Sequence, residues 1–301
     1  MPRVSRRLWR IPVLTVAALV AATLAACSPE DDTTPSGGTA VSGSTESSGG
    51  ETSATDPCAI DQLNLKTPGT LTVATDSPAY APWFIGNDPS NGKGFESAVA
   101  YAVAKQMGFA ENQVKWVVEP FNKSYAPGDK DFDFDINQIS ITPQRAKAVD
   151  FSEGYYDVSQ GVVALKSSGL KIGSLDDLRD AKLGAQVGTT SLTAAQAINP
   201  NTAVFDDTSA AKQALNNGQI DAVIADLDTA LYISAVEIPG SEVIGQFATT
   251  TDPEQFGLLF QKGNPLVACV NNAVEALRSD GTLDSLASKW LDKSANIPVL
   301  E

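Results

Sequence analysis

Two periodicities alternate along this 301-residue chain. Short runs with period two or continuous apolar character read as strands, and apolar positions spaced three and four apart read as helices. Strands are expected over 70–75, 114–118, 133–138, 159–165, 182–186, 221–225 and 257–261. Helices are expected over 96–107, where Ala98, Val99, Ala102 and Val103 share a face, and over 209–216, 227–235, 265–279 and 283–291. Ser174-Leu175-Asp176-Asp177 reads as a capped helix start, Gly188-Thr189-Thr190-Ser191 opens another helix, and Thr208 caps 209–216. Strands alternating with helices predict an α/β fold with parallel sheets covered on both faces.

Ahead of residue 57 the pattern is different. Arg3, Arg6, Arg7 and Arg10 form a basic start, followed by an apolar stretch over 11–22. That stretch is shorter than the ~20 residues of a spanning helix, so residues 1–26 read as a cleaved signal peptide. Leu24-Ala25-Ala26-Cys27 resembles a lipobox, which implies acylation of Cys27 and anchoring of the exported protein to the outer face of the cytoplasmic membrane. Ser5-Arg6-Arg7-Leu8-Trp9 loosely resembles a twin-arginine export motif, but ordinary basic starts contain such pairs, and the export route stays open. Residues 27–56 are rich in Ser, Thr, Gly, Pro and acids, and bury too little apolar surface to offset their ordering entropy. They predict a disordered tether with a reach of about 30 Å.

Charge and composition narrow the partners. The net charge is −15, and removing the four leader arginines leaves 17 basic against 36 acidic residues, or −19. An acidic surface of this kind argues against nucleic acid and anionic lipid. The chain has no His, so no metal site and no cofactor are expected. With Cys27 committed to lipid, Cys58 and Cys269 remain as an even pair in an exported protein; a disulfide is expected, with two buried thiols as the alternative.

The densest chemistry lies at Asn137-Gln138-Ile139-Ser140-Ile141-Thr142-Pro143-Gln144-Arg145. The alternation of Phe132, Phe134 and Ile136 leads into it as a strand, and Thr142-Pro143 reads as a helix start carrying Arg145 about one and a half turns in. A guanidinium, a hydroxyl and free backbone N–H groups at one strand end suit a small carboxylate. A surface arginine after an ordinary strand gives the same local pattern, so the surroundings must decide.

This run resembles the S-x-T-x-x-R segment of the family 3 extracellular solute-binding proteins, the polar amino-acid receptors of ABC importers. Leu71-Thr72-Val73-Ala74-Thr75-Asp76 with Pro82-Trp83-Phe84 resembles that family's first strand and aromatic loop, and Gly94-Phe95-Glu96 its G-F-D helix start with Glu in place of Asp. Gly188-Thr189-Thr190 resembles its G-T-T turn, Gly218-Gln219-Ile220-Asp221-Ala222 with Asp226 its G-x-I-D-A strand, and Asp280-Gly281-Thr282 its C-terminal corner. Their common order spans the whole domain.

The resemblance implies a two-lobed type II periplasmic-binding-protein-like fold with the ligand cleft between lobes joined by two hinge strands. Lobe one is placed at 57–157 plus 253–301 and lobe two at 158–252. It further implies that Arg145 and Ser140 hold a ligand carboxylate, assisted by Thr190 at a helix N-terminus. Asp226 and the backbone carbonyl of Gln138 would take the α-ammonium. Asp228 is the competitor for Asp226, and otherwise reads as a solvated acid at a helix start. Tyr80 resembles the aromatic that covers the ligand, but one extra residue in Ser77-Pro78-Ala79 lets Trp83 take that place; Phe121 forms the opposite wall. Asp76 points toward the side-chain end and selects an amide or cation there.

Asn137, Gln138 and the segment 123–130 depart from the family pattern and leave the ligand itself open. The implied partners are a small polar amino acid or close derivative and an ABC permease, with the protein a monomer. A sensor for a membrane signalling partner is the alternative, and a dehydratase-type enzyme the remoter one, since fold alone does not exclude catalysis.

Overall fold

The computed structural model describes residues 56–248, 253–291 and 297–301. The expected signal peptide, the Cys27 lipidation site and all of the tether but Asp56 lie outside the described residues.

Two sheets carry the fold. The first contains β1 (Leu71–Thr75), β2 (Val114–Val118), β3 (Phe134–Asp135), β4 (Val149–Val158) and β10 (Glu254–Gln261), in the order β2-β1-β3-β10-β4. Helices α1 (Phe95–Gln106), α6 (Leu266–Ser279) and α7 (Thr282–Trp290) cover one face. Leu71, Val73, Phe95, Val99, Phe134, Phe256, Val270 and Val274 form the core there. On the other face, Ala74, Phe121, Phe132, Ile139, Val149 and Leu259 make a smaller cluster. The second sheet contains β5 (Gln160–Leu165), β6 (Leu183–Gln186), β7 (Ala203–Phe205), β8 (Ala222–Asp226), β9 (Ser241–Phe247) and β11 (Val299–Leu300), in the order β11-β9-β5-β8-β6-β7. Helices α3 (Thr190–Ile198), α4 (Thr208–Asn216) and α5 (Leu227–Tyr232) accompany it. The remaining short helix, α2 (Phe121–Ser124), follows β2.

Neither sheet is purely parallel, contrary to the expectation from strand–helix alternation. β10 runs antiparallel to β3 and β4, and β5 antiparallel to β8 and β9. The cause is how the chain changes sheets. β4 ends at Val158 and β5 begins at Gln160, while β10 starts with Glu254 paired to Val158. One crossing strand leaves the first sheet as its neighbour enters it, so the two must be antiparallel. A further departure lies at the C-terminus. Residues 253–301 were expected in one lobe, but Val299–Leu300 pairs with β9, so the chain returns to the second sheet. Two residues cannot signal a strand by periodicity; the sheet edge captures them and buries Leu300 completely.

The strand expected over 133–138 shortens to Phe134–Asp135, and the chain bends at Asn137 and Gln138, the latter in a left-handed conformation at φ 47°. The helix expected at Thr142-Pro143 is a turn followed by one 3-10 turn over Arg145–Lys147. Cys58 and Cys269 are joined, with Cα atoms 5.5 Å apart, which ties the N-terminal turn to α6.

Candidate ligand-binding cleft

One cavity lies where the strand ends of both sheets converge, and all nine residues expected to bind ligand line it: Asp76, Tyr80, Trp83, Phe121, Gln138, Ser140, Arg145, Thr190 and Asp226. Asp76 follows β1, Gln138 and Ser140 follow β3, Thr190 opens α3 and Asp226 ends β8. Placement at strand ends and a helix N-terminus is what the topology of open α/β sheets favours for ligands.

Arg145 is buried, with Nη1 donating to the Ser140 carbonyl at 2.7 Å and Nη2 to the Gly188 carbonyl at 2.9 Å. Its guanidinium carbon lies 4.8 Å from the Tyr125 ring centre and 5.5 Å from that of Phe121. Two carbonyls and two rings therefore fix the fork. It makes no ion pair among the described residues, so its charge is held without a protein carboxylate beside it. Burial lowers its pKa, opposed by Tyr125, Glu254 and Asp226, and a guanidinium stays charged throughout.

Gly188 takes φ 74°, a conformation that residues with a side chain rarely adopt, and a Cβ there would meet the ends of the Asn122 and Tyr125 side chains. Thr189 caps α3 by accepting from the Leu192 N–H at 3.0 Å. This sets Thr190 as the first helical residue, its hydroxyl 3.4 Å from that of Ser140.

At the other side, Gln160 donates to Asp226 at 3.0 Å and to Glu254 at 3.3 Å, and accepts from Ser191. Burial first, then the charges of Glu254 and Asp228, raise Asp226 to about 8; the Gln160 hydrogen bond and Arg145 act in the opposite direction. A cation in the cavity would reverse that balance and ionise Asp226 near neutral pH.

The aromatic positions separate clearly. Trp83 is fully buried, edge-on to Phe256 at 5.5 Å and to Phe95 at 6.0 Å, and its indole N–H reaches Thr229 at 2.9 Å. Tyr80 is only partly buried; its hydroxyl is 3.0 Å from that of Ser209, and the Lys212 ammonium sits 5.0 Å from its ring centre. These contacts, with Arg145 to Gly188, bridge residues of the two sheets across the cleft.

The sequence matches the model of the bacterial extracellular solute-binding proteins, family 3, over residues 71–293. The chain belongs to that family. It is 30% identical over 226 residues to a protein named as a probable histidine-binding protein of Campylobacter jejuni, covering 73% of this chain and 84% of the relative. It is 31% identical over 236 residues to the L-cystine-binding protein TcyJ of Escherichia coli K12, covering 75% and 84%. A solved structure of an ancestral arginine-binding protein bound to glutamine superimposes with a TM-score of 0.62 at 33% identity, covering 74% of this chain and 98% of that one. These relatives are binding proteins, not enzymes.

Around this family 3 cleft stand further acids, of which the sequence pattern weighed only Asp228 for a ligand role. Glu254, near the start of β10, accepts from the Ser140 hydroxyl at 2.5 Å. The Ser140 side chain is therefore committed to protein, contrary to its expected role as a free hydroxyl for the ligand. Glu96 is fully buried near the start of α1, accepting the Gln138 backbone N–H at 2.6 Å and also the Gln138 side-chain amide and the Tyr155 hydroxyl. Asp228 is not the solvated acid the sequence suggested: it is buried and accepts from Tyr156 at 2.8 Å. Glu96 carried a signal, its place in Gly94-Phe95-Glu96; Glu254 and Gln160 carried none, because only the crossing strands bring them to the cleft.

Proposed function

We infer that this protein is the substrate-binding component of an ABC importer, capturing a small polar amino acid by lobe closure and delivering it to a membrane permease. Support comes above all from one observation, the gathering of Arg145 and Asp226 from different sheets on a single cavity. An α-amino acid carries both charges that such a pair complements. The fixed guanidinium of Arg145 would hold the carboxylate, with Thr190 adding an N–H from the helix start. Asp226 would hold the ammonium, and the Gln138 carbonyl would accept a second of its protons. Tyr80, being less enclosed than Trp83, is the better candidate to lie over the ligand, with Phe121 opposite. The names of its relatives, which cover histidine, cystine and arginine binding, favour the same ligand class. The lipobox further favours a lipoprotein held at the outer face of the membrane through Cys27.

The test is calorimetry and solution scattering against an amino-acid panel, with the deaminated analogue of the best ligand as control. A ligand closes the lobes only by its differential affinity for the closed form. The cognate amino acid should compact the protein, whereas the deaminated analogue, and the amino acid with Asp226→Ala, should not. Equal closure by the deaminated analogue would refute the role of Asp226.

A further inference from the structure

The two strands that cross between the sheets each carry a polar side chain at the crossing. β4 ends at Val158, β5 begins at Gln160, and Glu254 at the start of β10 pairs with Val158. Neither Gln160 nor Glu254 lines the ligand cavity, yet both reach residues that do. Glu254 accepts from the Ser140 hydroxyl with Oε1, at 2.5 Å, and from Gln160 Nε2 with Oε2, at 3.3 Å. Gln160 Nε2 also donates to Asp226 Oδ1 at 3.0 Å, and Gln160 Oε1 accepts from the Ser191 hydroxyl at 2.5 Å. The backbone repeats the linkage. Gln160 is the ladder partner of Asp226, and Ser140 is bridged to Phe256, two residues after Glu254.

A carboxamide offers two N–H donors and an acceptor oxygen. In buried Gln160 the nitrogen meets two carboxylates and the oxygen meets a hydroxyl. Turning the amide over would set its oxygen against both acids, so the neighbours dictate its orientation. A hydrogen-bonded path thus runs from Ser140 through Glu254 and Gln160 to Asp226, across both crossing strands. Its two ends are the groups read above as facing the two ends of an amino acid.

We propose that Gln160 and Glu254 are positioning residues: Gln160 fixes the Asp226 carboxylate for a ligand ammonium, and Glu254 ties it to the carboxylate socket at Ser140. The proposal rests on the amino-acid reading above and adds what sets the spacing of its two sockets. Gln160 engages Oδ1 of Asp226, so Oδ2 remains as an acceptor for the ligand. A neutral amide suits this place, because a cationic side chain there would neutralise Asp226 and compete with the ammonium.

The two side chains act on Asp226 in opposite directions. The charge of Glu254 opposes its ionisation, and the Gln160 hydrogen bond favours it more weakly. Asp228 on α5 also opposes ionisation, and Arg145 favours it. Tyr155 and Tyr156 on β4 face Asp226 too, but burial pushes both hydroxyls upward and they stay protonated through the neutral range.

The experiment measures affinity by calorimetry from pH 5 to pH 8.5 in native protein, Gln160→Met and Glu254→Gln. The probe is whichever of the twenty protein amino acids binds native protein most tightly at pH 8.5, with its deaminated analogue alongside. Native affinity should fall below about pH 8, where ligand-free Asp226 takes up a proton. Gln160→Met keeps the length of the side chain and removes its donors. Affinity at pH 8.5 should drop about tenfold, the fall should begin at higher pH, and binding of the deaminated analogue should not change. Glu254→Gln keeps an acceptor for Ser140 and removes the charge, so the fall should begin at lower pH, by at least about half a pH unit. The signs are opposite, so either variant decides if the other fails to fold. A merely structural role would weaken both compounds alike at every pH; that result, or profiles that do not move, refutes the positioning role while the amino-acid reading stands. If no amino acid binds native protein, that reading falls and the proposal with it.

Discussion

Replacing Glu96 by Gln tests how the cleft is held in shape. Glu96 is enclosed at the start of α1, and its burial raises its pKa from 4.5 to about 7, against the hydrogen bonds from Tyr155 and Gln138. Between those values the folded protein holds a proton that the unfolded chain has released. Stability is therefore highest below pH 4.5 for this group, falls as pH rises, and levels off above pH 7. At 1.36 kcal/mol per pKa unit, the loss across that window is about 3 kcal/mol. Glu96→Gln cannot ionise, so its unfolding free energy should lack this slope. The amide also presents NH2 hydrogens to the Gln138 side chain, where the carboxylate presented an acceptor, and so loosens the anchor on a residue held at φ 47°. A non-glycine residue in that region is strained by about 1–2 kcal/mol, so ligand affinity should fall roughly 5- to 30-fold. The assay is urea unfolding of ligand-free protein at pH 5 and pH 8, with calorimetry at pH 7. Asp226 titrates over part of the same range, but the difference between native and variant isolates Glu96. Identical pH dependence in the two proteins, or undiminished affinity in the variant, would refute the reasoning.

Two further outcomes follow from the same geometry. Arg145→Ala should lower amino-acid affinity by about 100-fold or more, and Arg145→Lys by less, because an ammonium cannot reproduce the fork; stability should fall only about 1–3 kcal/mol, from the unpaired carbonyls of Ser140 and Gly188. Ordinary affinity in Arg145→Ala, measured by calorimetry, would remove it from the site. Opening the Cys58–Cys269 bond, which closes a sequence separation of 211 residues, should cost about 5 kcal/mol in the chain-entropy model and lower Tm by about 10–20 °C; an unchanged Tm on reduction would contradict this.

Elements whose signal is local were legible in the chain. β2 occupies the expected 114–118, and α1 and α6 each start within one residue of expectation, because capping chemistry and apolar spacing act over a single turn or pleat. The nine cleft residues were also legible, each carried by a short motif at a strand or helix end, and the fold brings them to one cavity. What tertiary structure decided is non-local. The antiparallel pairing of β4 with β10 joins positions about a hundred residues apart, and no period within either strand specifies its partner. The same crossing brings Glu254 to Ser140 and Gln160, and so commits a hydroxyl that looked free for ligand. Asp228 read as solvated because an acid at a helix start usually is; it is buried because Tyr156, on a strand of the other sheet, folds over it. Asp135 alternates with apolar neighbours like an outward-facing residue, yet Ala74 and Leu259 flank it inside the sheet. Periodicity states which residues share a face, but only the packing of a second layer determines whether that face meets water, protein or a ligand.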